Sequence, residues 1–310
     1  MTIDRPQPDE GLAAELWYAG RAWDQAWADR RKTPPAKLFH YTDASGLLGI
    51  VTRNELWASN AAFLNDATEL LYIQGVLEDV LAELETEYDD AVVGGFLALM
   101  SGVFDRLYSQ GMEVFVACFC EGRDLLSQWR GYPSSDGGYA IGFRDASLTA
   151  AGFLLPVIYD EKTQREVLRS LLTAQCDLLP KIAGEPPGYQ DKCLALSVQI
   201  GMWSLADCAF AFKHPKFAEE AEWRLVRVTM GDREPPVGIA PMFRVRGRGL
   251  LPYTTFALTT TDANKPISEI VVGPSRHPDL AEGAARRLLG SSGYGMADGI
   301  VTRSEIPLRV

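Results

Sequence analysis

Polar residues that could perform chemistry lie in two apolar, strand-like segments that are far apart in the chain. His40 is at the centre of Leu38 to Thr42, and Glu222 opens a β-rich run beside Glu220 and Arg224. Imidazole and carboxylate groups act as general acids or bases, and carboxylates stabilise positive charge that develops in a transition state. The two segments therefore predict a site that binds a ligand and could act on it.

Each of these residues also has a purely structural interpretation. A single histidine in a strand is more often a core residue with one hydrogen bond than a ligand-binding group. Glu222 and Arg224 share one face of a strand and could pair with each other. Asn65, Asp66 and Glu69 are explained by a loop followed by a helix cap. Taken one at a time, the residues do not establish a function.

The elements that must position these residues are predicted by the periodicity of apolar side chains. Strands are expected at 38–42, 56–59, 113–120, 137–143, 156–159, 222–230, 251–258, 267–273 and 299–306. Helices are expected at 10–31, 43–54, 69–87, 91–110, 125–130, 162–180, 190–207 and 279–289. We expect one elaborated α+β domain over residues 1–310, with a discontinuous, mixed or antiparallel β core. Residues 1–36 are predicted to be a helical extension, and residues 160–212 a helical insertion.

The composition indicates an ordinary globular protein. Apolar residues make up 47% of the chain, charged residues make up 23%, and the net charge is −11. That charge disfavours general nucleic-acid binding, although the basic segment Arg244 to Arg248 could serve a small anionic ligand. No apolar run is long enough to cross a membrane, and the N-terminus lacks the layout of a secretory signal. We therefore expect a cytoplasmic protein without a membrane span.

Cysteine and histidine usage disfavours a metal site. The five cysteines show no Cys-x-x-Cys spacing and are expected to be buried, reduced thiols. The three histidines at 40, 214 and 277 are too far apart for a histidine-based site, so no metal is expected. Phosphate-loop, zinc-helix and nucleophile-elbow motifs are missing from the sequence, and the Gly293–Gly295 pair follows a helix rather than a strand. A Rossmann-type dinucleotide fold is therefore disfavoured.

Several separated motifs, read in order, resemble a bacterial family known as domain of unknown function 2971 (DUF2971). They are Phe39 to Thr42, Leu56 to Ser59, Phe63 to Asp66 with Glu69, Cys118 to Cys120, Gln128 to Tyr132, Gly138 to Phe143, Lys213, Glu220 to Arg224 and Arg303 to Pro307. The resemblance extends from about residue 38 to residue 309. It implies no activity, because the family is defined without one.

A second, more distant resemblance bears on function. A histidine-bearing strand, a leucine-containing helix, a strand ending in a small polar residue and a late strand opening with glutamate follow the order of ADP-ribosyltransferases. The chain is similar in this order to their DNA-modifying toxin branch and their tRNA phosphotransferase branch. The resemblance implies an ADP-ribosyltransferase-like core with NAD as substrate. It gives His40 the role of bonding a ribose and Glu222 that of holding a 2′-hydroxyl, with Glu269 as the alternative glutamate. The Glu-x-Glu spacing of Glu220 and Glu222 is expected to put both carboxylates on one strand face.

The same resemblance implies a set of residues that line a nucleotide cleft. These are His40, Tyr41, Thr42, Ser59, Asn65, Arg130, Tyr139 and Arg224. Ser59 and Tyr139 are both candidates for the group that packs on nicotinamide. The acceptor of the ADP-ribosyl group is left open, and a role as a toxin or in phage defence is what similar transferases imply.

Two other functions stay open from the residues alone. A non-catalytic sensor would use His40, Arg130 and Arg224 to recognise a nucleotide or another anion through charge-assisted hydrogen bonds. A hydrolytic effector would place Asp66, Glu69 and Glu222 around a divalent ion. The first predicts binding without turnover, and the second predicts activity that a chelator abolishes.

Overall fold

A computed structural model describes residues 11–20, 32–63, 67–104, 106, 112–131, 137–230, 242–246, 249–258, 265–294 and 300–307. The strands are β1 (Lys37–Thr42), β2 (Glu55–Asn60), β3 (Met112–Cys120), β4 (Tyr139–Arg144), β5 (Phe153–Pro156), β6 (Glu222–Met230), β7 (Met242–Arg246), β8 (Gly249–Ala257), β9 (Ile267–Val272) and β10 (Val301–Arg303). The α-helices are α1 (Leu12–Gly20), α2 (Ala44–Arg53), α3 (Ala67–Glu87), α4 (Ala91–Met100), α5 (Leu126–Gly131), α6 (Asp145–Ala151), α7 (Glu161–Cys176), α8 (Pro187–Ala211) and α9 (Pro278–Ser291). Three 3-10 segments cover Ala61–Phe63, Leu179–Gly184 and Pro215–Glu220.

The strands form one sheet that draws on both halves of the chain. The main order is β10-β9-β4-β1-β3-β2-β8-β7, with β6 beside β3 and β5 beside β6. The pairing is antiparallel throughout the described residues except between β9 and β10, which are parallel. These observations confirm the predicted α+β class and its largely antiparallel core.

The sheet splits beside its central strand, β3. One edge of β3 pairs with β6 along its full length, from Met112 opposite Met230 to Cys120 opposite Glu222. β1 and β2 share the other edge, where Phe39 lies opposite Cys120 and Ser59 lies opposite Val116. Since β1 and β2 pair with different ends of one edge, they part beside residues 117–119. This split is the feature around which the candidate site is built.

The helix that joins the two parting strands is fixed by local signals. The Asp43 side chain caps α2 by accepting a hydrogen bond from the Gly46 N–H at 2.8 Å. Asn54 ends the helix in the left-handed region, with φ of 52°, a conformation that asparagine tolerates better than most residues. Leu47 and Ile50 are buried against the sheet. The sequence allows Asp43 or Ser45 as the cap and Asn54 as the end of this helix, and the structure has Asp43 and Asn54 in these positions.

Helices cover both sides of the sheet. Side chains of paired residues share a face, so Cys118, Val116, Glu222 and Ser59 lie on one side, which we call the Cys118 face. Phe119 and its neighbours lie on the other side, the Phe119 face, and pack into a core with α2, α6 and α9. Most of the Cys118 face packs against α1, α3, α4, α7 and α8. A smaller cluster on that face joins Phe39, Tyr41 and Cys120 to α5.

Several predicted element boundaries were wrong. The helix expected at 91–110 is interrupted, because α4 ends at Met100 and Gly102 follows with φ of 64°; Val103, Phe104 and Arg106 are helical again, and residues 105 and 107–110 lie outside the described residues. The strand expected at 156–159 lies at Phe153–Pro156, because the pairing with β6 ends at Pro156 opposite Trp223. The strand expected at 299–306 is limited to Val301–Arg303. The helix expected at 10–31 is described as Leu12–Gly20, and its continuation over 21–31 lies outside the described residues.

One helix in the described residues, α8, is long and apolar enough by composition to cross a membrane. Within the fold, 59% of its most apolar window is buried. The helix contacts α1, α7 and α4 in the core on the Cys118 face. α7 and α8 together occupy the segment that was predicted to be a helical insertion.

Candidate functional site

His40 stands in the gap where β1 and β2 part. Its Nδ1 donates a hydrogen bond to the Cys118 backbone oxygen at 2.8 Å, and its ring lies 5.7 Å from the Phe119 ring. Burial lowers the pKa of His40 below its ordinary value of 6.5, and the charge of Arg244 lowers it further. The ring is therefore neutral at pH 7 with its proton on Nδ1. Nε2 has an unprotonated lone pair and no hydrogen-bond partner in the described part of the chain.

Glu222 lies across β3 from this gap, in a buried cluster of charges. Its carboxylate accepts from Arg224 Nε at 2.8 Å and from Lys213 Nζ at 2.9 Å. Burial alone would raise the pKa of Glu222, but the two cations lower it to about 2. Arg224 also reaches Glu69 at 2.9 Å, and Lys213 reaches Glu220 at 2.6 Å. Glu222 is thus an ionised carboxylate held in one orientation.

Cys118 connects the two halves of the site. Its backbone oxygen accepts from His40, and its thiol lies beside the Glu222 carboxylate, whose pKa it helps to lower. Burial raises the pKa of Cys118 well above its ordinary value, and the neighbouring Glu222 charge adds to this shift. Although it lies on the central strand of the sheet, the Cys118 side chain is only half-buried. The Cys118 and Glu222 side chains lie on the Cys118 face, where Cys118 packs against the core, whereas the pairing of Phe39 with Cys120 places the alternate residue His40 on the Phe119 face.

Glu220 does not lie on a strand beside Glu222, and the prediction that their carboxylates share a strand face was wrong. Glu220 ends the 3-10 segment Pro215–Glu220, and Ala221 follows in the left-handed region with φ of 41°. Strand alternation begins only at Glu222. Both carboxylates nevertheless contact Lys213, and burial raises the pKa of Glu220.

On the other side of the gap, Arg244 reaches over β2 from the edge strand β7. Its Nη2 donates to Ser59 Oγ at 2.8 Å. Its guanidinium carbon lies 5.6 Å from the centre of the Trp57 ring and 5.9 Å from that of Tyr253. Ser59 is buried, whereas Arg244 and Trp57 are half-buried. Ser59, a predicted ligand residue, is therefore bonded to the Arg244 guanidinium.

Other predicted ligand residues lie at different distances from the gap. Tyr41 is buried with its hydroxyl used twice, as a donor to Gly122 O at 2.9 Å and as an acceptor from Leu125 N at 3.0 Å. Thr42, at the end of β1, lies opposite Tyr139 of β4, which places Tyr139 one strand further from the gap. Arg130 is exposed near the end of α5.

The remaining predicted residues divide into two groups. Asn65 and Asp66 lie outside the described residues. Glu269, the alternative catalytic glutamate, lies on β9 opposite Gly142, two strands beyond β1. Lys37 and Arg123 contact its carboxylate at 3.3 Å and 3.4 Å. Of the two glutamates, only Glu222 contacts the residue to which His40 is bonded.

The sequence analysis placed Cys118 in a family motif and Arg244 in a basic segment suited to a small anion, but it did not assign either residue to the site of His40 and Glu222. Cys118 looked like an ordinary apolar strand residue, and nothing local shows that β1 and β2 part beside it. Arg244 had a weak signal, since residues 235–261 contain three arginines and no acidic residue in an acidic chain. β7 itself was not predicted, and its apolar residues Phe243 and Val245 are 62% and 76% exposed.

Comparisons with known proteins support the family but no activity. Residues 128–225, which include α5 and the start of β6, match a family model described as Protein of unknown function (DUF2971). This match confirms the DUF2971 resemblance over that part of the chain, a shorter span than the motifs implied. No curated protein and no solved structure matches the chain.

Proposed function

We propose that this DUF2971 protein is a nucleotide-binding enzyme with an ADP-ribosyltransferase-like core, which takes NAD as its substrate. The observation that carries the proposal is that His40 and Glu222 both adjoin Cys118, His40 through its backbone oxygen at the gap between β1 and β2 and Glu222 through its thiol. A neutral imidazole and an ionised carboxylate that adjoin one residue at a gap in the sheet suit a ligand with several hydroxyl groups. A ribose in an NAD molecule has this character.

His40 acts as a hydrogen-bond acceptor in this proposal. Because its Nδ1 proton is committed to the Cys118 carbonyl, Nε2 is the free acceptor and can bond a ribose hydroxyl. A single such bond contributes about 1 kcal/mol, or roughly a fivefold to tenfold change in affinity. The fixed tautomer orients the ribose without a reorganisation of the ring.

Glu222 stabilises the reacting sugar. The C1′–nitrogen bond of NAD breaks, nicotinamide leaves with the bonding electron pair, and positive charge develops on the ribose. A hydroxyl or amine of the acceptor then bonds to C1′ and releases a proton. A preorganised carboxylate favours this charge most strongly in the transition state. The Cys118 thiol is the weakest of the donors on Glu222, and a ribose hydroxyl would displace it first.

Mass spectrometry tests the proposal by following free nicotinamide and ADP-ribose when the protein is incubated with NAD and a cell lysate. We expect nicotinamide release and ADP-ribose on water or on a macromolecule. Glu222→Gln should slow release by about 10² to 10³, and His40→Ala by about tenfold. Matched controls are Glu85→Gln and His277→Ala, which alter an exposed glutamate and an exposed histidine outside the candidate site. Absence of release by the wild type would refute the catalytic proposal.

A sensor that binds a nucleotide without turnover is the second candidate. The observation that favours it is that Arg224, Lys213 and Cys118 together occupy the acceptor positions of Glu222. Calorimetry with NAD separates the two functions. A sensor is indicated if Glu222→Gln leaves the affinity for NAD unchanged and the wild type forms no product over hours. Catalysis is indicated if the wild type releases nicotinamide and Glu222→Gln still binds NAD but no longer releases nicotinamide.

A further inference from the structure

We infer that Arg227 and Glu113, on the Phe119 face near the start of β3, form a binding site for a free α-amino acid. Arg227 bonds the carboxylate of the ligand, and Glu113 bonds its ammonium group. The site lies apart from the one at His40 and Cys118, since Arg227 is opposite Phe115 on β3. It does not depend on the proposed NAD chemistry.

The Phe119 face is concave at this end because the sheet curls. Arg227 on β6 donates two hydrogen bonds to β8, to Thr254 Oγ1 at 3.1 Å and to Thr255 O at 2.8 Å. β3 and β2 lie between these strands, so a flat sheet would separate β6 from β8 by about 14 Å. The Arg227 guanidinium also lies over the Phe256 ring of β8, 4.3 Å from its centre. β6 and β8 therefore approach each other across the Phe119 face.

Arg227 has no carboxylate partner in the described part of the chain. Both of its bonds to β8 use Nη1, so the N–H groups of Nε and Nη2 have no acceptor among the described residues. Arg165, Arg224 and Arg286, in contrast, each contact a carboxylate. Arg227 is half-buried, and this burial lowers its pKa from the ordinary value. A carboxylate bonded to Nε and Nη2 would offset the cost of that burial.

Glu113 supplies the opposite charge on the same face. Its Oε1 accepts a hydrogen bond from Asn60 Nδ2 at 3.3 Å, and no cation contacts it among the residues that the structure describes. Asn60 is buried, and its Oδ1 accepts from the Ala62 N–H at 3.0 Å, which fixes the orientation of its amide. Glu113 itself is half-buried. A neutral amide therefore orients this carboxylate, and its Oε2 is left for a ligand.

The strand register sets the distance between the two charges. Arg227 pairs with Phe115, and Glu113 precedes Phe115 by two residues on β3, so Arg227 and Glu113 are diagonal neighbours. The residues that they bond, Thr254 on β8 and Asn60 on β2, are diagonal neighbours as well. Such neighbours lie about 7–8 Å apart. This spacing accommodates the carboxylate and the ammonium group of one α-amino acid with a charge-assisted hydrogen bond of about 2.8 Å at each end.

The pair of opposite charges selects a zwitterion. A guanidinium presents parallel N–H groups that match a carboxylate, and a glutamate oxygen accepts from an ammonium group. A phosphate or a dicarboxylate would be repelled by Glu113, and a diamine would be repelled by Arg227. An α-amino acid carries both charges on adjacent groups and satisfies both residues at once.

Equilibrium dialysis of the protein against an equimolar mixture of the standard L-amino acids, followed by amino-acid analysis, tests the site. We expect the protein to retain at least one of them at millimolar concentration. Calorimetry with the amino acid that is retained most strongly should show its binding weakened about 10-fold to 100-fold by Arg227→Gln and by Glu113→Gln. The amide of that amino acid lacks the carboxylate, and its deaminated acid lacks the ammonium group, so each should bind at least about tenfold more weakly. Arg53→Gln and Glu85→Gln remove exposed charges elsewhere and, as matched controls, should leave the affinity unchanged.

Three results would overturn the site: no amino acid retained in dialysis, unchanged affinity in Glu113→Gln, or equal affinity for the amino acid and its amide. Arg227→Gln also removes two hydrogen bonds between β6 and β8, so its thermal unfolding is compared with that of the wild type. If Arg227→Gln unfolds at a lower temperature, Glu113→Gln decides the test, because glutamine keeps an oxygen that accepts from Asn60 Nδ2.

Discussion

Protonation of Glu222 should destabilise the fold at acid pH, and the size of the effect follows from its buried contacts. Arg224 and Lys213 lower the pKa of this carboxyl from its ordinary 4.5 to about 2 in the folded chain. A carboxyl group whose pKa is lowered by folding stabilises the folded protein at pH values above the pKa that the group has in the unfolded chain. That stability is lost as the pH falls from 4.5 toward 2.

Lowering the pKa of Glu222 from 4.5 to about 2 stabilises the folded protein by about 3 kcal/mol at neutral pH, since one pH unit is worth 1.36 kcal/mol. Between pH 5.5 and pH 3, about 2 kcal/mol of this contribution should disappear. Other carboxyl groups also titrate in this range. The Glu222→Gln variant, which cannot titrate at this position, isolates the contribution of Glu222.

Urea unfolding followed by tryptophan fluorescence measures the effect at the two pH values. The free energy of unfolding of the wild type should fall by about 2 kcal/mol more than that of Glu222→Gln. Glu85→Gln, on the exposed side of α3, is the control and should follow the wild type. Equal losses in the wild type and Glu222→Gln would refute the assignment of a buried, ionised Glu222 paired with two cations.

Three further outcomes are expected. The His40 ring should be neutral at pH 6.5 with its proton on Nδ1, as long-range ¹⁵N–¹H spectra can show; a proton on Nε2 would contradict the bond to Cys118. Cys118 should react with iodoacetamide at pH 8 at least about a hundredfold more slowly than free cysteine, since its pKa is raised. Gly142→Ala should destabilise the protein by about 1–3 kcal/mol because the added carbon would lie 2.9 Å from the Phe39 ring. Gly75→Ala in α3, where the added carbon meets nothing within 4 Å, should instead stabilise the protein by up to about 1 kcal/mol. An equal loss of stability in both glycine variants, measured by thermal or urea unfolding, would contradict these two expectations.

The first strand–helix–strand unit could be predicted from the sequence because its signals are local. Alternating apolar residues define β1 and β2, and the Asp43 cap and the left-handed Asn54 define the ends of α2. The same holds for α3, whose apolar stripe is continuous. His40 was identified correctly as a strand residue, but its surroundings depend on contacts with β3, which is distant in the chain.

The split of the sheet could not be predicted, because it depends on two strands sharing one edge of a third. Nothing within β1 or β2 specifies that Phe39 pairs with Cys120 while Ser59 pairs with Val116. The position of Glu220 was missed for a local reason. The Glu-x-Glu pattern suggests strand alternation, but Ala221 has φ of 41° and turns the chain before the strand begins.

A crystal structure of the protein with NAD tests the central proposal most directly. We predict a ribose hydroxyl within hydrogen-bonding distance of His40 Nε2 and a second hydroxyl at Glu222 in place of the Cys118 thiol. His40→Ala crystals treated in the same way should show weaker occupancy of NAD. NAD bound elsewhere on the protein, or no NAD beside Cys118 at millimolar concentration, would contradict the proposal.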